Sequence, residues 1–183
     1  AMDQDDNPIW GLDGGAWAEL VLPPPDDPVF YSDAPMRDGG FELKVRGDEA
    51  YWVGVELPPQ AAYVSGSAGP VPVPPAGRVP VSVTLEHKDA MIAGRLVISE
   101  TTIPAYGVWA EVFGEDEHGH WVSVGVDPHT GWYHLGVISG TWRVRAWVDP
   151  ASGYVAAPNP TVVTVQSGDV TPPVNLPVWP IRA

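Results

Sequence analysis

The sequence predicts an all-β protein, and three observations carry that prediction. Apolar and polar residues alternate through many short runs, the period of a half-buried strand. Gly and Pro, 20 and 22 of the 183 residues, fall between those runs, where ladders end and turns begin. Helical periodicity is nowhere sustained over the roughly ten residues a helix needs. Pro and Gly at this level verge on the composition of disordered chains, but nine Trp and abundant Val provide the burial that disorder lacks.

Residues 3–14 are acidic and turn-rich, and lead into a strand over 16–22 in which Ala16, Ala18 and Leu20 share one face. Three prolines end it, because proline cannot donate to a ladder. Residues 29–31 form a short strand. Then Gly40-Phe41-Glu42-Leu43-Lys44-Val45, a turn at Arg46-Gly47-Asp48 and the run Tyr51-Trp52-Val53-Gly54-Val55 read as a β-hairpin. A loop follows through Pro58-Pro59 to Tyr63. The Pro-alternating stretch 70–75 is extended, at a sheet edge or as polyproline, and 79–85 is a closing strand.

Glu86-His87-Lys88-Asp89 is a charged joint, so the expected domains are 3–87 and 88–180. The second opens with a strand over 91–98 and continues with 108–113. A polar hairpin tip at Glu115-Asp116-Glu117-His118-Gly119-His120 leads to a returning strand over 121–126. The stretch around which the chain is organised comes next: Gly131-Trp132-Tyr133-His134-Leu135-Gly136-Val137, a turn at Ile138-Ser139-Gly140, and Thr141-Trp142-Arg143-Val144-Arg145-Ala146-Trp147. It too reads as a hairpin. A loop over 148–160, a strand at 162–165, a turn at 166–169 and a closing strand at 174–178 complete the chain.

The halves repeat. Gly15-Ala16-Trp17-Ala18-Glu19 aligns with Gly107-Val108-Trp109-Ala110-Glu111, and Phe41-Glu42-Leu43-Lys44-Val45 with Tyr133-His134-Leu135-Gly136-Val137, both at a separation of 92 residues. Tyr63 matches Tyr154 and Gly77 matches Gly168. A duplicated unit is expected.

Composition narrows the function. A formal net charge of −14 argues against nucleic-acid partners and anionic membranes, which require a positive surface. No apolar run approaches the roughly 20 residues of a membrane span, so no membrane insertion is expected, and no signal peptide is read. Ala1-Met2 reads as an expression remnant. The absence of cysteine removes disulfides, thiolate catalysis and thiolate metal sites. The Thr/Val/Pro/Gly-rich, acidic composition suits an exported bacterial protein.

In their order, these motifs resemble the prealbumin-like β-sandwich modules called carboxypeptidase regulatory-like or Cna-B-like domains. The residues that carry it are Ala93-Gly94-Arg95-Leu96-Val97, Pro104-Ala105-Tyr106-Gly107-Val108, Gly131-Trp132-Tyr133-His134-Leu135, Gly140-Thr141-Trp142-Arg143-Val144, Ser152-Gly153-Tyr154 and Val174-Asn175-Leu176. The first half resembles the family from Asn7-Pro8-Ile9 onward and lacks the opening strand. The resemblance implies two tandem seven-stranded sandwiches, common in bacterial surface and secreted proteins. Some members form a Lys–Asn or Lys–Asp isopeptide bond beside a buried acid. Here Lys88 and Asn175 have Trp147 at the acid's position, and in the first half Glu56 fits that position but residues 1–15 contain no lysine and the closing strand 81–85 no Asn or Asp. No such bond is expected.

Two constellations could bind metal. Asp3, Asp5 and Asn7 alternate like the ligands of a calcium loop, with Asp6 and Asp13 nearby, but the loop glycine and distal glutamate are missing. Calcium is the only cofactor to consider. His118 and His120 with Glu115, Asp116 and Glu117 could hold a divalent ion, although an exposed tip gives such ligands no support. No nucleophile-bearing motif is present, so no enzyme activity is expected.

The tryptophans are the surplus. By strand parity Trp17, Trp52, Trp109, Trp132 and Trp147 point outward and Trp142 inward. Outward aromatics serve cover by neighbouring loops, a protein interface or sugar stacking. The reading reached is a structural, spacer or adhesion segment of a larger bacterial surface or secreted protein, whose partners are neighbouring domains and a protein or polysaccharide ligand. One alternative is a carbohydrate-binding module using Trp17, Trp109, Trp132 and Trp147. Another is a fibre subunit whose first half takes a strand from another chain.

Overall fold

A computed structural model describes residues 1–5, 7–21, 31–99, 101 and 103–181. The chain is all-β and divides into two compact units, Ala1–His87 and Lys88–Ala183. Unit 1 holds β1 (Gly14–Leu20), β2 (Tyr31–Met36), β3 (Glu49–Glu56) and β4 (Gly66–Val73). Unit 2 holds β5 (Ala90–Ile98), β6 (Ala110–Asp116), β7 (Trp121–Gly125), β8 (Trp132–Val137), β9 (Gly140–Val148), β10 (Tyr154–Ala156), β11 (Thr161–Val165) and β12 (Leu176–Pro180). A 3-10 turn, Pro150–Ser152, is capped by the Asp149 side chain.

Unit 2 is built from two four-stranded sheets, β10-β12-β5-β8 and β11-β9-β6-β7. Ile92, Leu96, Tyr133, Leu135, Val137 and Val178 are buried on the first, and Val112, Trp142, Val144 and Val165 on the second. The expected hairpin over 131–147 is therefore corrected. β8 pairs with β5, whereas β9 pairs with β6 and β11, so the chain arches from one sheet to the other. The physical reason lies in burial: Tyr133 and Leu135 on one run and Trp142 and Val144 on the next all need complete cover. Runs in opposite layers supply that cover to each other, whereas a hairpin would place both on one face. The arch is fixed by Asp89, whose carboxylate accepts from Ser139 N at 2.6 Å and Ser139 Oγ at 3.1 Å. The Trp142 indole N–H donates to Ile138 O at 2.9 Å. β6 and β7 do form a hairpin.

Unit 1 holds one four-stranded sheet, β2-β1-β3-β4, over a core that includes Ala18, Leu20, Met36, Tyr51, Val53 and Val55. The Pro-rich run belongs to β4, an edge strand where missing N–H groups on Pro70 and Pro72 do little harm. Two expected strands are corrected. Residues 41–46 form no ladder, and 79–85 contributes a single bridge, Thr84 to Met2. Their partner explains it. In unit 2 the counterpart of 40–45 is β8, which pairs with β5, and in unit 1 three described residues match the end of such a strand.

Those three are Ala1, Met2 and Asp3. The Ala1 amino group donates to Gly39 O as Leu96 N donates to Gly131 O. Ile9 N donates to Ala1 O as Ala105 N does to Leu96 O, and Asp3 N to Asn7 O as Ile98 N to Ile103 O. Met2 pairs in parallel with Thr84 as Val97 pairs with Pro177. Gly39 and Gly131 adopt the same left-handed φ of +74° and +73°, and a Cβ on Gly39 would lie 2.0 Å from Ile9 O.

The alignment of Trp17 with Trp109 is also corrected. Gly11 and Gly107 share φ values of +69° and +70°, and the burial pattern along β1 matches that along β6 residue for residue. Ala16 thus corresponds to Val112, and Trp17 to Phe113. The Trp-Ala-Glu triplets coincide by local likeness only, because residues 21–30 make the link after β1 longer than 117–120 make the link after β6. The expected short strand at 29–31 lies outside the described residues except for Tyr31, which opens β2. Residues 154–156, expected in a loop, form β10 against β12.

Candidate functional site

The four singled-out tryptophans do not form one platform. Trp17 belongs to unit 1 and lies across Gly54, its cross-strand partner; a Cβ there would come within 2.3 Å of the ring. Trp132 sits on β8, between the Arg95 guanidinium carbon at 4.2 Å from its centroid and His134, stacked at 6.0 Å. Trp147 lies on β9 in the opposite sheet of unit 2. Trp109 precedes β6, and its carbonyl accepts from Asp149 N at 2.9 Å.

Only Trp109 and Trp147 are brought to one face. Glu111 stands opposite Trp147, and Trp109 stands two residues before Glu111, so both indoles emerge on the outer side of β11-β9-β6-β7 as diagonal neighbours. They are 69% and 55% exposed. Phe113 opposite Arg145, and Glu115 opposite Arg143, continue the same outer face. Such a surface can stack on a planar apolar ligand while its charged residues hydrogen-bond the ligand's edge.

The N-terminal acidic motif folds on itself. Asp3 Oδ1 accepts from Asp5 N at 2.9 Å and Asn7 N at 2.8 Å, and the Asn7 amide nitrogen lies 3.3 and 3.2 Å from the two Asp3 oxygens. The backbone bond from Asn7 holds the Asp3 carboxyl below its ordinary range, with further help from the Asn7 side chain and Asp5 N. Asn7 thus turns a donor, not a ligand oxygen, toward Asp3. Asp6 lies outside the described residues. Asp13 serves elsewhere, accepting from Asp38 N at 3.1 Å.

At the β6–β7 tip, the buried Asp116 accepts from His118 N and His120 N at 2.9 Å each, and pairs with His120 Nδ1 at 2.8 Å. The His118 ring lies 3.8 Å from Glu117 and edge-on to His120 at 6.3 Å. Among the described residues no three His, Cys, Asp or Glu are grouped to hold a metal ion. Lys88 packs its stem beside Gly136, and burial lowers its pKa, but Asn175 is exposed.

One feature of unit 1 was missed by the sequence reading as a site. A groove of about 880 Å³ runs between residues 39–45 and 77–82, with Phe41, Leu43, Val45, Val79 and Val81 among its walls. The signal in the sequence was the first half's lack of a counterpart to residues 91–98.

No family model and no curated protein matches the chain. Among solved structures it is similar to the Bacillus anthracis TIE protein, at 13% identity and a TM-score of 0.41, covering 98% of this chain and 32% of that one. It is also similar to a Streptococcal ancillary pilin, at 15% identity and TM-score 0.37, covering 98% and 60%. The major pilin from Streptococcus pyogenes aligns at 9% identity and TM-score 0.26, covering 98% and 95%. The chain spans about a third of the first and three fifths of the second.

Proposed function

We propose that the chain is a non-catalytic structural segment, a spacer or adhesion element built of two Cna-B-like sandwiches, within a larger bacterial surface or secreted protein. The observation that carries this is how the buried polar groups are used. Among the described residues only Ser65 and Asp116 are buried and polar; Ser65 holds backbone, and Asp116 holds the backbone of its own hairpin and the His120 ring within it. Ser65 Oγ accepts from Leu57 N at 2.9 Å, and Asp116 closes its own hairpin. Catalysis needs titratable groups converging in a sheltered cleft, and the interior here is apolar. Sedimentation velocity over a wide concentration range and a screen of ester, peptide and glycoside substrates test the proposal. A monomer without turnover is expected; turnover abolished by a point substitution overturns it.

A second reading is favoured by Trp109 and Trp147, two largely exposed indoles on one sheet face, an arrangement that suits sugar rings. Its test is retention by insoluble polysaccharides, with loss of retention expected in Trp109→Ala and in Trp147→Ala. Equal retention of both variants and the parent refutes it.

A further inference from the structure

The sheet of unit 1 and the β11-β9-β6-β7 sheet of unit 2 follow one register. With β1 matched to β6, the pairings match β3 to β9, so that Trp52 holds the place of Arg143 and Gly54 that of Arg145. The exchange changes the outer face. In unit 2 Glu115 stands opposite Arg143 and Phe113 opposite Arg145, so the carboxylate and the ring each have a guanidinium at the cross-strand position. In unit 1 their counterparts lack one: Glu19 stands opposite Trp52, and Trp17 lies across Gly54.

Nothing else on the unit 1 sheet supplies the charge. Its four strands contain no Lys, Arg or His. Tyr31 and Asp33, the cross-strand partners of Glu19 and Trp17 on β2, complete two adjacent rows of the outer face, and Glu56 stands in the next. Glu19, Asp33 and Glu56 are exposed, as are Tyr31 at 55% and Trp52 at 42%. Desolvation, and then the charges of Asp33, Glu56 and Glu19, raise the Tyr31 hydroxyl pKa above its ordinary 10.0. All three carboxylates are thus within electrostatic reach of one phenol.

We propose that this face receives an extended, arginine-bearing segment of a partner protein, whose guanidinium groups bring the charge that Arg143 and Arg145 bring in unit 2. A guanidinium is planar, so it stacks on an aromatic ring while its N–H groups donate to carboxylates beside that ring. A neutral sugar would use the rings and leave the carboxylates uncompensated, and a metal ion would leave the rings unused. Successive rows along β1 are two residues, about 7 Å, apart, which is also the spacing of alternate side chains on an extended segment. A net charge of −14 draws such a segment toward the chain.

The test is a titration of the isotope-labelled chain with the peptide acetyl-Gly-Arg-Gly-Arg-Gly-amide, followed by NMR at amide and indole N–H groups. The same peptide with citrulline for arginine keeps the shape and removes the charge. Saturable shifts are expected at Tyr31, Trp17 and Trp52, with the citrulline peptide binding at least about tenfold more weakly. Trp52→Arg, which installs the counterpart of Arg143, should abolish those shifts while the β1 and β3 amides keep their folded pattern. Glu19→Gln, an exposed change, should weaken binding severalfold and decides the matter if Trp52→Arg does not fold. The proposal is overturned if nothing saturates at these residues, if the citrulline peptide binds equally well, or if the folded variants bind as the parent does. Shifts spread evenly over the acidic loops of both units, or the same shifts produced by a neutral glucan hexamer and not by the peptide, overturn it as well.

Discussion

Gly94 offers the sharpest test of how unit 2 is packed. Its ideal Cβ position lies 1.9 Å from Val174 O, 2.6 Å from Tyr133 Oη and 2.7 Å from the Val174 carbonyl carbon, so Gly94→Ala cannot be absorbed by a side-chain rotation. Either β5 or the segment before β12 must move. That movement strains a filled core by about 1–3 kcal/mol. It also pulls apart the Tyr133 Oη to Val174 O bond, 2.7 Å, and leaves a buried group unpaired at a further cost of about 1–3 kcal/mol. The expected loss is about 2–5 kcal/mol, or roughly 10 °C or more in the melting temperature of a domain this size. Gly125→Ala is the matched control, because nothing lies within 4 Å of its Cβ position. Urea unfolding of both variants, followed by exchange at β8 amides, decides the matter. If Gly94→Ala stays within about 0.5 kcal/mol of the parent, as a surface change would, the packing derived for β5 is wrong.

Trp142→Ala should cost about 3–5 kcal/mol, measured by the same urea unfolding, since the indole is fully buried and bonded to Ile138 O. Burial pushes the Tyr133 hydroxyl pKa well above its ordinary 10.0; an unfolded chain therefore releases that proton first, and stability present below the ordinary value should be lost as pH rises past it. Urea midpoints from about pH 9 to about pH 11 should fall, and fall less in Tyr133→Phe. Asp127 is held below its ordinary 3.8, first by the backbone N–H of His129 and then by the Thr130 hydroxyl. Its contribution to the turn is therefore present above that value and fades as pH drops through the folded one. Carbon NMR should give a carboxyl midpoint below 3.8, moving upward in Thr130→Val. Trp109→Ala and Trp147→Ala should change stability by no more than about 0.5 kcal/mol, because both indoles are exposed; a larger loss in thermal unfolding would mean they support the fold.

Strand periodicity made the faces of this protein legible but not the neighbours. Alternation placed Trp142 inward and Trp109 and Trp147 outward, since each residue's side follows from its own strand. Whether 131–137 pairs with 141–147 depends on what covers each run, and both need cover that only an opposite sheet provides. The same limit affected residues 41–45: their sequence is strand-like, yet a strand needs a partner, and among the described residues none pairs with them in a ladder. Register failed at Trp17 because a shared Trp-Ala-Glu triplet outweighed an unseen difference in loop length. Exposure could be read from sequence; convergence could not, and Trp132 and Trp147 ended in opposite sheets.

The parallel pairing of β5 with β12 has a mechanical consequence. The strand that opens unit 2 lies beside the one that closes it, joined over residues 96–98 and 176–178 and further by Met91, Ala93 and Ser99. Tension applied between the start of β5 and the end of β12 pulls parallel neighbours in opposite senses along their length. Those bonds then carry load in shear, all together, instead of peeling open one by one, so unit 2 should resist stretching more than its resting stability alone would suggest.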